Sequence, residues 1–569
     1  LTMLRVWGGG IYEPQHFYDR CDELGLLVWQ DFMFACATYP EDEPFPVLIE
    51  AETRQQIARL SPHPCIVLWC GGNENVLAWQ AWGFRERLAP GQAWGRRYWL
   101  ALLPRLCAQL DPTRPYWPDS PWSGSLERHA NDPDHGDRHT WDLKVEEYRS
   151  ITPRFASEYG HQSPPNYWTI HQAFEAPMVI EDALRAGSPR DAAELASSAW
   201  PNLGLRQRAG GGNTVQYAQP LAQHFHSATA FSEWLYHAHL LQARAVSLAI
   251  TWHRAHRPRT MGSLFWQWND VWSGPSWSAV DVKLRPKPVW HAVQRAARPR
   301  LVTIEPMGAP GAPGAPGAPS APGHASDDQL RVALVNDTGE AWLPTVHLTR
   351  LALDGRVLAK ACERAEVQPW SVDASIRVSQ ALGSADDERA ECVMAEVGDQ
   401  RALWMFRRDV DARPANADDS RTSAPNAQTI APVSRTTVHS SRATADSSRT
   451  TAHSSRATAD SSRTTAHSSR AAADSSRPSP TFPYASLAAR IRAQVRGAGR
   501  VWRINVTAQS LVRDLWIEPL APWVSCTPNL ITMLPGETAE MLVQLEHPSE
   551  VAPALRVHAA NGVEVTPVT

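Results

Sequence analysis

Residues 1 to about 300 alternate short apolar runs with amphipathic stretches, and this alternation restricts the possible folds more than any other feature. Met3–Trp7, Leu26–Gln30, Ile66–Cys70, Tyr116–Pro118, Arg138–Trp141, Arg154–Glu158 and Ser263–Trp268 read as strands. They are short, rich in aromatic and aliphatic residues, and mostly bounded by Gly, Pro or Asn. Pro14 opens a stretch in which Phe17, Cys21 and Leu24 share one helical face, and Ile49, Thr53, Ile57 and Leu60 mark a second helix. Strands alternating with helices predict an α/β fold with a parallel sheet. The expected architecture is a (β/α)₈ TIM barrel. Seven strands are legible, so the first strand of the barrel is expected upstream of Leu1.

Two of these strands end on a carboxylate. Ile66-Val67-Leu68-Trp69-Cys70 runs into Gly71-Gly72-Asn73-Glu74, and Arg154-Phe155-Ala156-Ser157 runs into Glu158-Tyr159-Gly160. A buried charge is costly unless it is paired, solvated or used. In a parallel barrel the C-terminal strand ends form the catalytic face. Two carboxylates on separate strands are what acid/base and nucleophilic glycoside hydrolysis needs.

The remainder of the 569 residues divides by composition. Residues 301–326 carry a Gly-Ala-Pro repeat, too short for a triple helix, and read as an extended linker. Residues 327–410 alternate apolar and polar positions, with turns at Asn336-Asp337 and Asp354-Gly355, as a β-sandwich does. Residues 411–480 repeat a 14-residue Arg/Thr/His/Ser/Ala/Asp unit with no large apolar position, which predicts disorder. Residues 481–569 return to strand alternation and predict a second sandwich.

A net charge of −4 offers no basic excess for nucleic acid or a membrane surface. No run of about 18 apolar residues predicts a membrane span. The eight cysteines follow no metal or redox spacing and read mostly as core. His129, Asp132, Asp134, His135, Asp137 and His139 mix oxygen and nitrogen donors, but in no standard metal spacing. Of the 25 tryptophans, 19 precede residue 300, in the same segment as the two glutamates. Trp29, Trp69 and Trp268 are assigned to the core.

Five motifs carry a resemblance. Leu4-Arg5-Val6-Trp7-Gly8-Gly9-Gly10-Ile11-Tyr12-Glu13, Val28-Trp29-Gln30-Asp31-Phe32-Met33-Phe34, Leu68-Trp69-Cys70-Gly71-Gly72-Asn73-Glu74-Asn75, Ser157-Glu158-Tyr159-Gly160 and Leu264-Phe265-Trp266-Gln267-Trp268-Asn269-Asp270-Val271-Trp272 follow one another in order. Together they resemble the β-mannosidases of glycoside hydrolase family 2, from the second barrel strand onward. The resemblance implies a retaining hydrolase of terminal β-mannosides, with immunoglobulin-like sandwiches after the barrel and no metal or organic cofactor. It implies Glu74 as general acid/base, Glu158 as nucleophile and Asn73 as the ligand of the sugar 2-hydroxyl. Trp7, Trp82 and Trp266 would shape the mannose pocket, with Asp31 as a hydroxyl ligand and His139 in or beside the pocket. The implied partner is a β-mannoside oligosaccharide or glycan, and N-terminal domains of the same chain are expected. One departure stands out. The family places an aromatic after the histidine of its Gly-Asp-x-His motif, whereas here His139 is followed by Thr140 and then Trp141. An endo-acting mannosidase on N-glycan cores uses nearly the same motifs, and a truncated, non-catalytic fragment is the alternative outside the enzymes.

Overall fold

The computed structural model describes residues 1–173, 221, 224–225, 228, 231–307, 330–388, 390–406, 489–561 and 563–567. The Gly-Ala-Pro stretch at 308–323 and the repeat at 411–480 lie outside them. Among the described residues, no helix is long and apolar enough to cross a membrane.

The N-terminal region is built from β1 (Met3–Val6), α1 (Gln15–Leu24), β2 (Leu27–Asp31), α2 (Phe45–Leu60), β3 (Ile66–Cys70), α3 (Asn75–Ala81) and β4 (Tyr116–Trp117). The four strands form a parallel sheet in chain order. Val6 pairs with Gln30, Asp31 with Cys70 and Cys70 with Trp117, so the C-terminal strand ends stand side by side. Helices seal one face. In α2 the buried residues Thr53, Ile57 and Leu60 follow the expected stripe. In α1 the stripe is Tyr18 and Cys21, while Leu24 is 56% exposed. Leu24 is the last residue before Gly25, whose left-handed φ of 66° ends the helix and turns the chain.

A second parallel pair joins β5 (Arg138–His139) to β6 (Ala156–Glu158). Residues 263–268, expected as a strand, do not form one. Ser263 bridges Ala156, and the amides of Leu264 and Trp266 donate to Ala156 O and Tyr159 O at 2.8 and 2.7 Å. Beyond Trp266 the amides turn to the returning segment instead, Gln267 N to Trp277 O and Asp270 N to Val280 O. That change of partner ends the ladder along β6 and leaves Trp268 38% exposed rather than in the core. Trp29 and Trp69 are buried as expected.

Two sandwiches follow. In the first, β7 (Arg300–Pro306), β8 (Leu330–Asn336) and β11 (Ser371–Arg377) form one sheet. The other holds β9 (Thr345–Ala352), β10 (Val357–Arg364), β12 (Glu391–Val397) and β13 (Gln400–Met405). Val332 and Leu334 from one sheet meet Val346, Leu348, Val393 and Ala395 from the other, at the two-residue period of a one-sided strand. Residues 301–306, read from sequence as linker, belong to β7. Their register against β8, from Arg300↔Asn336 to Pro306↔Leu330, buries Val302 and Ile304.

The second sandwich sets β14 (Ala489–Ala508), β16 (Trp523–Thr527), β18 (Thr538–Ser549) and β20 (Val563–Pro567) against β15 (Val512–Pro519), β17 (Ile531–Met533) and β19 (Leu555–His558). Its core is continuous with α4 (Phe231–Ala255) and α5 (Pro288–Ala296). The fully buried Arg285 links the two parts: Nε donates to Trp523 O at 3.0 Å, Nη1 to Thr169 Oγ1 at 2.7 Å, and Nη2 pairs with Glu546. Such contacts fix the loop 268–286, which borders the site described next.

Candidate active site

The site forms where β1, β2, β3, β5 and β6 end. Gly71 and Gly72 allow the chain to leave β3 under its neighbours. A Cβ on Gly71 would stand 2.1 Å from Pro118 O, and one on Gly72 2.8 Å from Phe34 O. Asn73 then bridges Ala35 on one side and Ser120 on the other. Glu74 follows with φ 55°, a left-handed conformation uncommon for a residue with a side chain, and opens α3. Asp119 holds the start of that helix, accepting from Val76 N at 2.7 Å and Asn75 Nδ2 at 3.2 Å. Burial pushes the Asp119 carboxyl up to about 7, against the pull of those donors.

The two glutamates meet. Both are 6% exposed, and oxygens of Glu74 and Glu158 and a nitrogen of His139 all lie within 4.8 Å of one another. His139 Nδ1 is 2.8 Å from Glu74 Oε1 and 3.8 Å from Glu158 Oε2. Glu158 also accepts from Arg5 Nη1 at 3.1 Å and from the Trp141 indole N–H at 3.0 Å. Burial raises the Glu158 carboxyl above its usual range. His139 opposes that shift, the charge of Glu74 adds to it, and Arg5 and the Trp141 donor oppose it again.

Arg5 is the organiser that the motifs concealed. It donates to Asp31 Oδ1 and Oδ2 at 3.2 and 2.8 Å, to Asn73 Oδ1 at 2.8 Å and to Glu158. Burial works against its charge, but Asp31 and Glu158 outweigh it and hold the guanidinium protonated more firmly than usual. Asp31 is the main partner of Arg5. It is fully buried, and its oxygens accept from Arg5, Gly8 N and Trp29 Nε1. These contacts tie Asp31 to Arg5 and to the start of the Gly8–Gly10 turn.

His139 is also fully buried and faces Glu74 rather than open space. Trp7 and Trp266 pack edge to face, 5.0 Å between ring centroids. Trp82 sits at the far end of α3 from Glu74, 39% exposed against Phe84. Trp141 is 38% exposed and packs edge-on to Trp277, so an aromatic two places after His139 reaches the pocket that Thr140 does not. Cys36 lies 3.6 Å from Glu74 Oε2 and accepts from Asn73 Nδ2 at 3.5 Å. Burial pushes its thiol up to about 12, so it stays neutral. Arg5 had a sequence signal, a charge inside an otherwise apolar strand. Cys36 and Trp141 had none beyond their place near a motif.

Glu74, His139 and Glu158 have the spacing of a metal triad, as do Asp22, His63 and Cys65. In the first group His139 Nδ1 is already spent on Glu74 and Glu158 Oε2 on Arg5. In the second, Asp22 accepts from the Cys65 amide at 2.8 Å and bonds His63 Nδ1 at 2.6 Å, tying α1 to the start of β3. The loop residues His135 and Asp132 pair with each other at 2.9 Å, at the surface.

No model of a known protein family matches the sequence. Individual proteins do. Residues of this chain are 35% identical over 319 positions to β-mannosidase B of Thermothelomyces thermophilus, covering 52% of this chain and 35% of that protein. They are 32% identical over 327 positions to the β-mannosidase of Capra hircus, covering 53% and 35%. The fold matches the β-D-mannosidase of Dictyoglomus thermophilum with a TM-score of 0.70 at 25% identity, over 100% of this chain and 57% of that one. The exo-chitosanase CsxA of Amycolatopsis orientalis shares the fold at TM-score 0.60 and 14% identity, over 99% of this chain and 59% of that one. The chain is thus similar in sequence to β-mannosidases and shares its fold with solved glycosidases. Within that fold, the relatives that the sequence matches at 32% and 35% identity are β-mannosidases. The matched stretch spans about a third of the curated relatives' length.

Proposed function

We propose that the chain carries the catalytic centre of a retaining exo-β-mannosidase that releases terminal β-D-mannose from oligosaccharides or glycans. In this reading residues 1–300 are part of a (β/α)₈ barrel, with β1–β6 as six of its strands and the segment after Ser263 in the place of another. The two sandwiches are the immunoglobulin-like domains that follow it, the first beginning at Arg300. One observation carries the proposal: the Glu74 and Glu158 oxygens approach within 4.8 Å. Retaining pairs stand about 5–5.5 Å apart, whereas inverting pairs need roughly 6.5–9.5 Å to admit a water.

Glu158 attacks the anomeric carbon while Glu74 protonates the departing oxygen. A water that gives its proton to Glu74 then hydrolyses the mannosyl-enzyme. Arg5 and the Trp141 N–H aim the Glu158 carboxylate, and Asp31 and Asn73 fix Arg5. Asn73 meets the sugar 2-hydroxyl, where a contact strengthens as the ring flattens. The Trp7–Trp266 pair supplies an apolar wall for the sugar face, and Trp82 guards the rim.

The test is a panel of p-nitrophenyl β-mannoside, β-glucoside, β-galactoside and β-glucosaminide assayed with the full-length protein. The β-mannoside is expected to lead the others in kcat/KM by about 100-fold, the scale of one or two lost hydroxyl contacts. A leading β-glucosaminide would replace the mannoside assignment.

A further inference from the structure

The carboxylates are not the only members of the site whose protons are constrained. Asp137 accepts four donors: Trp117 Nε1 and Trp122 N on Oδ1 at 2.8 and 2.9 Å, and the Ser120 and Ser157 hydroxyls on Oδ2 at 2.6 and 2.5 Å. A carboxylate only accepts, so the Ser120 hydrogen points at Asp137. Ser120 Oγ then presents lone pairs to His139 Nε2, 2.9 Å away, and that nitrogen must carry a hydrogen. The other nitrogen, Nδ1, faces Glu74 Oε1 at 2.8 Å.

We propose that His139 and Glu74 act as one unit: Asp137 and Ser120 lock the imidazole in its Nε2–H form, so the one proton His139 can exchange is the proton it shares with Glu74. The proposal rests on Glu74 being the acid/base. A neutral, locked His139 can only accept from a protonated Glu74, and a charged one can only donate to an ionised Glu74. Losing the shared proton sets a lone pair against a carboxylate in a buried site. The unit therefore keeps its proton until a leaving oxygen needs it. That proton passes from Glu74 to the glycosidic oxygen as the C1–O bond breaks toward that oxygen and Glu158 forms the new bond to C1. In the second half, the water oxygen bonds to C1, Glu158 leaves with its electron pair, and the water proton goes to Glu74, which restores the unit.

The charges around His139 agree with this. Burial alone would lower its proton affinity, but Glu158 and Glu74 outweigh burial and raise it above the ordinary 6.5, with Arg5 opposing. Asp119, at the start of α3 with its carboxyl pushed up to about 7 by burial, and Asp137, behind Ser120, are the other acidic groups facing this pair. Cys36, on the far oxygen of Glu74, is neutral.

The experiment is the pH profile of kcat/KM on phenyl and 2,4-dinitrophenyl β-mannoside, in the full-length protein and its His139→Gln and Ser120→Ala variants. In the parent, the alkaline limb on the phenyl substrate should lie above pH 6.5. In His139→Gln the amide can neither take up the shared proton nor carry a charge, so Glu74 holds the proton alone and the limb should fall by about one unit or more, a tenfold loss per unit. Ser120→Ala should move it the same way, because an unlocked imidazole can donate from Nδ1. The dinitrophenyl profile should change far less. Lower rates with an unmoved limb in both variants would make these residues merely structural and overturn the proposal. If His139→Gln does not melt cooperatively, the Ser120→Ala profile decides alone. Glu74→Ala, run in parallel, separates the two readings: if it loses both substrates equally, the acid/base assignment itself has failed.

Discussion

Glu158→Gln is expected to lower kcat on p-nitrophenyl β-mannoside by about 10⁴-fold or more, the scale seen when a nucleophilic centre loses a key member. The amide has the same shape but no charge with which to attack C1. Folding should survive, for reasons visible around the side chain. Arg5 keeps both oxygens of Asp31 and the Asn73 carbonyl, so its charge stays paired. The Trp141 N–H can still donate to the amide oxygen. Removing a carboxylate that burial already disfavours also relieves a cost. Kinetics and a melting curve on the same preparation check both parts. A loss under tenfold would remove Glu158 from the nucleophile's role.

Glu74→Ala should depend on the leaving group. On phenyl β-mannoside the first step needs the proton, and a loss of about 10²–10⁴-fold is expected. On 2,4-dinitrophenyl β-mannoside the leaving oxygen needs no proton, so the first step stays fast and the mannosyl-enzyme accumulates for want of a base. Azide, small enough for the space vacated by the carboxylate, should then attack C1 without deprotonation. The product is expected to be β-mannosyl azide, read by NMR, with turnover rising with azide concentration. An α-azide would mean direct displacement and contradict the covalent route.

The sequence made Glu74 and Glu158 legible because each sits in a contiguous motif at the end of an apolar run. It left their neighbours hidden because those contacts join distant strands. Arg5 reaches Glu158 across 153 positions, and Ser120, Asp137 and Ser157 meet only after β3 through β6 align. Burial likewise could not be read from residue type. Asp31 and His139 are both fully enclosed, and the partners they face, Arg5 and Glu74, lie on or just beyond other strands. Period-two patterning located the sandwiches, yet β7 was hidden because its partner β8 follows the Gly-Ala-Pro stretch. Trp268 was misread for a similar reason: an apolar run signals a strand, but its amides found the returning segment 276–280 instead.

The central claim is that Glu158 forms a covalent bond to mannose. The most direct measurement is mass spectrometry after incubation with 2-deoxy-2-fluoro-β-D-mannosyl fluoride. The 2-fluorine disfavours the electron-poor transition states of both steps, while the good leaving group keeps the first one accessible. One fluoromannosyl group per chain is expected, on the peptide containing Glu158, together with loss of activity that a β-mannoside substrate slows. An unlabelled protein that releases fluoride steadily, or a label on any other carboxylate, would contradict the account.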